Sequence, residues 1–426
     1  MVAFKDPEEV FTPRSPQVNE AMYVSRPDLE ESLIGALRGT KHLIVHGESG
    51  SGKSWLYKKV LKDRDIKHEV INLANAARRG SINQAFRDFL DRQAATVKTG
   101  YSESKNATLG IPGANSQLDH TDHYQMPQKE PFEALLHRLN SISKKQKSVL
   151  VLDNLERIFD DEKLLSELAD LITLLDDEVY SEYKVKFIIV GVPNDLGKYF
   201  SETPSFMTVA NRLSEVKEVF RFSEIQTKEL VFKGFVQELG LMQENDPLVE
   251  EVSDHVIWVT DRIPQRIHEY CAKLAWEAVD RKRPLAKSDL KVADRKWLED
   301  SLNKAYSIVA SSMNEKVTKV QRKNQVIYTL GQTTKSGFRY SDIEAELKRF
   351  FPKSTGGIQL NISGVLSSLA SQKHPLIRRS PKGDIYVFSD PVYKMCIRCM
   401  LKISGVDEKI IQRELHTLNN LDKYLY

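Results

Sequence analysis

Cysteine is scarce in this sequence, with three among 426 residues. So few thiols exclude a disulfide framework and point to a reducing compartment. Cys396 and Cys399 form a CxxC pair, but a structural zinc site needs four ligands and no second pair exists. Both therefore read as small apolar residues of a helix. Long hydrophobic runs are missing too. No stretch approaches the ~18 apolar residues of a membrane-spanning helix, and "MVAFKDPEEVFTPRSP" lacks the pattern of a signal peptide. A cytoplasmic chain with no membrane partner is expected. Net charge is nearly absent, +3 overall, but it is unevenly spread. Residues 301–402 hold 17 Lys/Arg against 6 Asp/Glu, a net +11, which leaves −8 for the rest. Such asymmetry is expected when one domain meets a polyanion. A solvated basic face without a ligand is the plainer alternative.

Against these absences stands one strong motif. "GESGSGKS", Gly47 to Ser54, satisfies G-x-x-x-x-G-K-[ST] and lies between a short apolar strand, "HLIV", and a helical pattern, "SWLYKKVL". Glycines let the loop curl so that the N–H groups of Gly47, Glu48, Ser49, Gly50, Ser51, Gly52, Lys53, Ser54 and Trp55 can face one centre, and the following helix adds its positive end. Lys53 is placed for the β- and γ-phosphates of ATP and the Ser54 hydroxyl for Mg²⁺. The metal carboxylate is expected from "KSVLVLDNLERI", where an unbroken apolar strand ends at Asp153. The residue after it is Asn154 and the next acid is Glu156. Either Glu156 serves as base from three residues on, or hydrolysis is slow and the protein is an ATP switch. A surface acid is the plainer reading of Glu156.

A third strand, "KFIIV", leads to Asn194, where a polar side chain could touch the γ-phosphate or the attacking water; a turn asparagine accounts for it as well. "HEVINL" and "KEVFRF" (217–222) complete five candidate strands, each followed by helical pattern. Alternation of this kind predicts an α/β fold, a parallel five-stranded sheet with helices on both faces. Residues 1–35 read as a lead-in segment, 36–223 as the P-loop core and 224–300 as a helical lid. Within the core, 98–131 is rich in Gly, Ser, Asn and Pro and reads as a mobile insertion. Its "DHTDH", Asp119 to His123, offers two histidines but is a weak zinc signal. Residues 301–404 give three helical patterns, with Ser341 as a cap for the second, then two strands around a Ser-Pro-Lys-Gly turn. Residues 405–426 carry Ile411, Leu415, Leu418 and Leu425 on one helical stripe.

By "GESGSGKS", "VLVLDNLE", "IIVGVPND", "ANRLSEVKEVFRF" and "TDRIPQRIHEY", the chain resembles AAA+ and STAND P-loop ATPases, in particular the branch of initiator-like and bacterial transposition ATPases. The likeness spans about residues 20–400, and its first two motifs are the specific ones. It implies ATP and Mg²⁺ as cofactors and a homo-oligomer in ATP. Arg212, just before the fifth strand, matches an arginine that reaches a neighbour's nucleotide. Arg266, near the "RIP" turn, matches an arginine of the lid, although Arg262 stands where the family's turn has glycine. Tyr23, Val24 and Arg26 match an adenine pocket, and packing alone would explain them equally. The last module resembles a winged helix, which implies duplex DNA as partner, with Arg378, Arg379 and Lys382 on the wing. The implied function is an ATPase switch that couples nucleotide state to oligomerisation and DNA binding. The first alternative is a signalling or scaffold protein whose winged helix and long loop bind a protein partner. A small-molecule kinase is the second, and it would leave the basic module unexplained.

Overall fold

The computed structural model describes residues 5–100 (side chains through 94), 130–191, 209–314, 321–380, 383–404, 407–413 and 415. Asn194, Lys382 and the "DHTDH" stretch lie outside the described residues. The chain divides between Phe220 and Arg221 into two compact units.

The first unit is built on five parallel strands: β1 (His42–His46), β2 (His68–Asn72), β3 (Ser148–Asp153), β4 (Val185–Gly191) and β5 (Leu213–Glu215). Their order is β2-β3-β4-β1-β5, with Leu43 beside Ile188 and Ile71 beside Leu152. The central strands are apolar throughout because both faces are covered. Leu43, Val45, Ile188 and Val190 meet α1 (Pro27–Arg38) and α2 (Lys53–Asp63) on one face. Ile44, Phe187 and Ile189 pack on the other face in the core of α4 (Ile82–Gly100), α5 (Pro131–Ile142) and α6 (Glu162–Leu174), reached from β2 through α3 (Leu73–Arg79). Pro27 and Pro131 open their helices at positions where the missing N–H has no intrahelical partner anyway.

Three expectations need correction. The fifth strand is Leu213–Glu215 and not 217–222. Residues 216–220 still follow β1, but through single bonds, Val216 N–H to Ile44 O and Val219 N–H to His46 O. The interval 98–131 is not loop at its ends, since α4 continues to Gly100 and α5 begins at Pro131. Residues 405–426 are not a helix where described. Ile410–Gln412 form β9, antiparallel to β8 (Leu401–Ile403), and the alternation of buried Ile410 with exposed Ile411 is that of a strand.

The second unit takes in residues 5–15 and 19–24 and the chain from Arg221 on, and holds α7 (Glu224–Phe232), α8 (Pro247–Thr260), α9 (Pro264–Val279), α10 (Lys287–Asp300), α11 (Asn303–Ser312), α12 (Arg322–Gln332), α13 (Tyr340–Phe350) and α14 (Ile362–Ala370). The hairpin β6 (Ile377–Arg379) and β7 (Tyr386–Phe388) follows, then α15 (Pro391–Met400). One continuous core runs from Phe235 and Tyr270 through Trp297 and Leu330 to Met395, so the expected lid and the basic module share their interior. Ser341 does not cap α13: it lies inside the first turn, and Asp342 takes the N–H of Arg339 at 2.8 Å instead. Cys396 and Cys399 are buried on α15, and burial pushes both thiols up. Among the described residues, no helix is long and apolar enough to cross a membrane.

Candidate functional site

The phosphate loop joins β1 to α2. Gly52 is its last residue, at φ +91°, and Gly50 has φ +78°. Gly47 is glycine for a second reason: a Cβ there would stand 2.2 Å from Val219 O. Lys53 opens the helix, and its ammonium donates to Gly47 O at 2.8 Å and Glu48 O at 2.9 Å. Burial lowers its pKa, and the carboxylates of Glu156, Asp153 and Glu48 oppose that shift. Such a cation sits ready for an anionic ligand.

Ser54 and Asp153 are 99 residues apart in sequence, yet Ser54 Oγ faces Asp153 Oδ2 at 3.4 Å. Asp153 reaches this place because β3 ends there, and its other oxygen accepts the N–H of Asn154 at 2.8 Å. Asn154 turns the chain in the left-handed region, φ +64°. The single turn Leu155–Arg157 then folds Glu156 back over the end of β4. A Cβ at Gly191 would lie 3.6 Å from Glu156 Oε2, so the expected base is at the sheet's carboxyl end and not on an outer surface.

Among the described residues, three buried polar atoms near the loop, Ser51 Oγ, His46 Nδ1 and Glu156 Oε2, have no hydrogen-bond partner. An orphaned buried polar atom costs about 1–3 kcal/mol, so a ligand that supplies its partner is bound the more tightly. Their presence around a curled loop with a half-buried lysine fits a phosphorylated nucleotide. The hydroxyl of Ser54 and the carboxylate of Asp153 fit a hard, oxygen-preferring cation such as Mg²⁺. Tyr57 lies one turn beyond Ser54 on α2, and burial and the Asp153 carboxylate push its hydroxyl pKa up.

Arg26 also belongs to this site. It is buried, and donates to Ser51 O at 2.8 Å and Gly52 O at 3.2 Å, bracing the loop from behind. No local pattern announces this role, because its partners lie 25 residues on. Tyr23 and Val24 fall in the second unit, where Val24 joins the core. His46, the residue before the motif, carries no signature of its own.

Within the first unit, Arg212 is not gathered at the loop. Arg212 ends a short turn before β5, and its Nε pairs with Asp176 at 2.5 Å. It neighbours His42, at the opposite end of β1 from the loop. Arg266, on α9, pairs with Glu269 at 2.7 Å. Arg262 adopts φ +62° in the "RIP" turn, the conformation glycine would take most easily.

The family described as AAA domain matches residues 37–200. No curated protein matches the chain in sequence. Among solved structures, the Walker-type ATPase PABY2304 of Pyrococcus abyssi is 16% identical, with 91% of this chain and 99% of that one covered and a TM-score of 0.48. The ORC2 protein of Aeropyrum pernix, solved as ADPNP–ADP complexes, is 13% identical over 93% and 98%, with a TM-score of 0.48. Cdc6p from Pyrobaculum aerophilum is 13% identical over 93% and 98%, with a TM-score of 0.43. These likenesses are distant, and the site assignment rests on the geometry given above. Residues 37–200 thus match the AAA domain family, and they lie in a unit with the five-stranded parallel sheet of an α/β P-loop NTPase fold.

Proposed function

We propose that the chain binds ATP with Mg²⁺ and hydrolyses it slowly, as a switch that couples nucleotide state to self-association and to duplex DNA. The observation that carries the first half is the meeting of Ser54 with Asp153 beside Lys53, with Ser51 Oγ, His46 Nδ1 and Glu156 Oε2 buried nearby without partners among the described residues. Lys53 holds the β- and γ-phosphates, Ser54 and Asp153 hold the metal, and Glu156 takes the proton of the attacking water. Hydrolysis by such a site is a matter of positioning and charge neutralisation. Arg212 acts on a neighbouring subunit, Arg266 follows the nucleotide state from the second unit, and Asn194 touches the γ-phosphate or the water. The module around β6 and β7 is a winged helix that meets phosphates through its +11 charge.

The alternative, docking of a protein partner on the same module, draws support from two exposed apolar side chains, Tyr340 and Ile358.

Lys53→Ala tests the first half. The change removes charge-assisted hydrogen bonds worth about 1.5–3 kcal/mol each, so affinity for a fluorescent ATP analogue should fall by about tenfold to a hundredfold. Undiminished affinity would refute the assignment of the loop.

A further inference from the structure

His46 is the last residue of β1, and in the parallel pairing with β4 it stands beside Gly191. Its face is fixed by alternation. Leu43 and Val45 belong to the core against α2, and Ile44 to the core against α5 and α6, so His46 shares the side of Ile44. Gly191 shares the side of Phe187 and Ile189 by the same rule, and that is again the side of Ile44. The turn carrying Glu156 lies on this face too, since Leu155 and Ile158 pack there. A Cβ at Gly191 would meet Leu155 Cβ at 3.0 Å and Glu156 Oε2 at 3.6 Å. Adjacent strands are about 4.8 Å apart. The imidazole of His46 and the carboxylate of Glu156 therefore flank one glycine, at the carboxyl end of two central strands and directly before the phosphate loop.

Each brings a buried polar atom without a partner among the described residues, His46 Nδ1 and Glu156 Oε2. A carboxylate oxygen is an acceptor only. Nδ1 is an acceptor when the imidazole carries its proton on Nε2. Two acceptors on one face of the sheet, on either side of Gly191, are matched by a molecule that presents two hydrogens, and water is the smallest that does.

We propose that His46 is a water-positioning residue: its Nδ1 and Glu156 Oε2 each accept one hydrogen of the water that attacks the γ-phosphate, which leaves an oxygen lone pair directed at phosphorus. The inference rests on the nucleotide reading above and extends it. In the step, the water oxygen bonds to the γ-phosphorus and the bond from phosphorus to the β,γ-bridging oxygen breaks. Its electron pair leaves with ADP, and the proton passes to Glu156 Oε2. His46 keeps its own proton throughout. The arrangement also accounts for an acid three residues beyond Asp153 in place of one directly after it: the glycine leaves room for the turn, and the histidine supplies the second acceptor.

The test uses the full chain and two ligands, Mg-ADP and Mg-ADP with aluminium fluoride, the latter holding a water at the in-line position. His46→Leu removes the acceptor and keeps bulk. His46→Asn keeps an acceptor near the place of Nδ1. Expected are ADP affinities within twofold of wild type for both, and for His46→Leu a loss of about tenfold or more in both turnover number and affinity for the fluoride complex. His46→Asn should recover most of that loss, and Glu156→Gln should show the same pattern as His46→Leu. The inference is overturned if His46→Leu leaves fluoride-complex affinity and turnover unchanged. Equal losses of ADP affinity, or an asparagine as damaging as leucine, overturn it too, since either marks a packing role. A wild-type chain that binds neither ADP nor an ATP analogue would instead remove the nucleotide reading itself, a result distinct from all of these.

Discussion

His268 shows how a single buried side chain ties stability to pH. It lies on α9 with its ring against Phe11, and its Nδ1 accepts the N–H of Thr12 at 3.2 Å. That bond requires the unprotonated nitrogen, and burial lowers its pKa from 6.5 to about 4. The unfolded chain therefore binds a proton between pH 6.5 and 4 that the folded one refuses, so the histidine's contribution to stability is full above pH 6.5 and declines on acidification. At pH 5 the decline amounts to about 2 kcal/mol. Urea titrations at pH 7 and pH 5 should show that loss in the wild type, and His268→Gln should show a smaller one. Equal losses in the two proteins would place the acid sensitivity elsewhere, His42 being the next candidate with its pKa lowered to about 4.

Among the elements, the short turn Leu155–Arg157 carries the greatest consequence for chemistry. It packs so closely on the end of β4 that Gly191 leaves no room for a methyl group: a Cβ would sit 3.0 Å from that of Leu155, itself buried in the core. Gly191→Ala must push the turn by a few tenths of an ångström, and Glu156 with it. Overpacking of this kind costs about 1–3 kcal/mol. Thermal denaturation should report that loss, while turnover falls well beyond what the change in ADP affinity explains. If turnover keeps pace with binding, the position of Glu156 is not critical. The sequence foretold β1 to β4 well, because strands buried on both faces must be unbroken apolar runs. It misled at 217–222, where the apolar alternation of "KEVFRF" arises from Val219 and Phe222 reaching separate cores. It misled again at 410–412, where Ile411 fits a helical stripe with Leu415 as well as it fits a strand. Within the site, Lys53, Ser54 and Asp153 were legible because a spacing motif and a strand end mark them. Arg26, Tyr57 and His46 were not, because their roles depend on contacts that no local pattern encodes.

At the scale of the whole molecule, two arginine assignments can be separated by what surrounds them. Arg212 lies away from its own loop, so a role in catalysis requires a second subunit. Arg212→Ala should keep ATP affinity and lose turnover, and mixing it with Lys53→Ala should restore part of the activity; a protein that stays monomeric in ATP would exclude this. The basic module poses the sharper question. Arg378 and Arg379 are adjacent on β6, so their side chains leave opposite faces of the hairpin. Arg379 is exposed but engaged within the module: its Nε donates to Tyr386 Oη at 3.0 Å, another nitrogen to Ser367 Oγ on α14 at 3.2 Å, and the guanidinium lies over the Tyr386 ring. Arg378 stands on the other face and is exposed. If this hairpin follows a phosphate strand, the two changes must differ. Arg378→Ala should lower the log-log salt slope of duplex DNA binding by about 0.9 and weaken all sequences alike. Arg379→Ala should lower the stability of the hairpin, with a smaller effect on the slope. The measurement belongs in the full chain, because the module shares its core with residues 224–300. A full-length protein that binds no duplex DNA at low salt, with ATP bound, would assign the +11 charge to an acidic protein surface, and Tyr340 and Ile358 would then be the first residues to change.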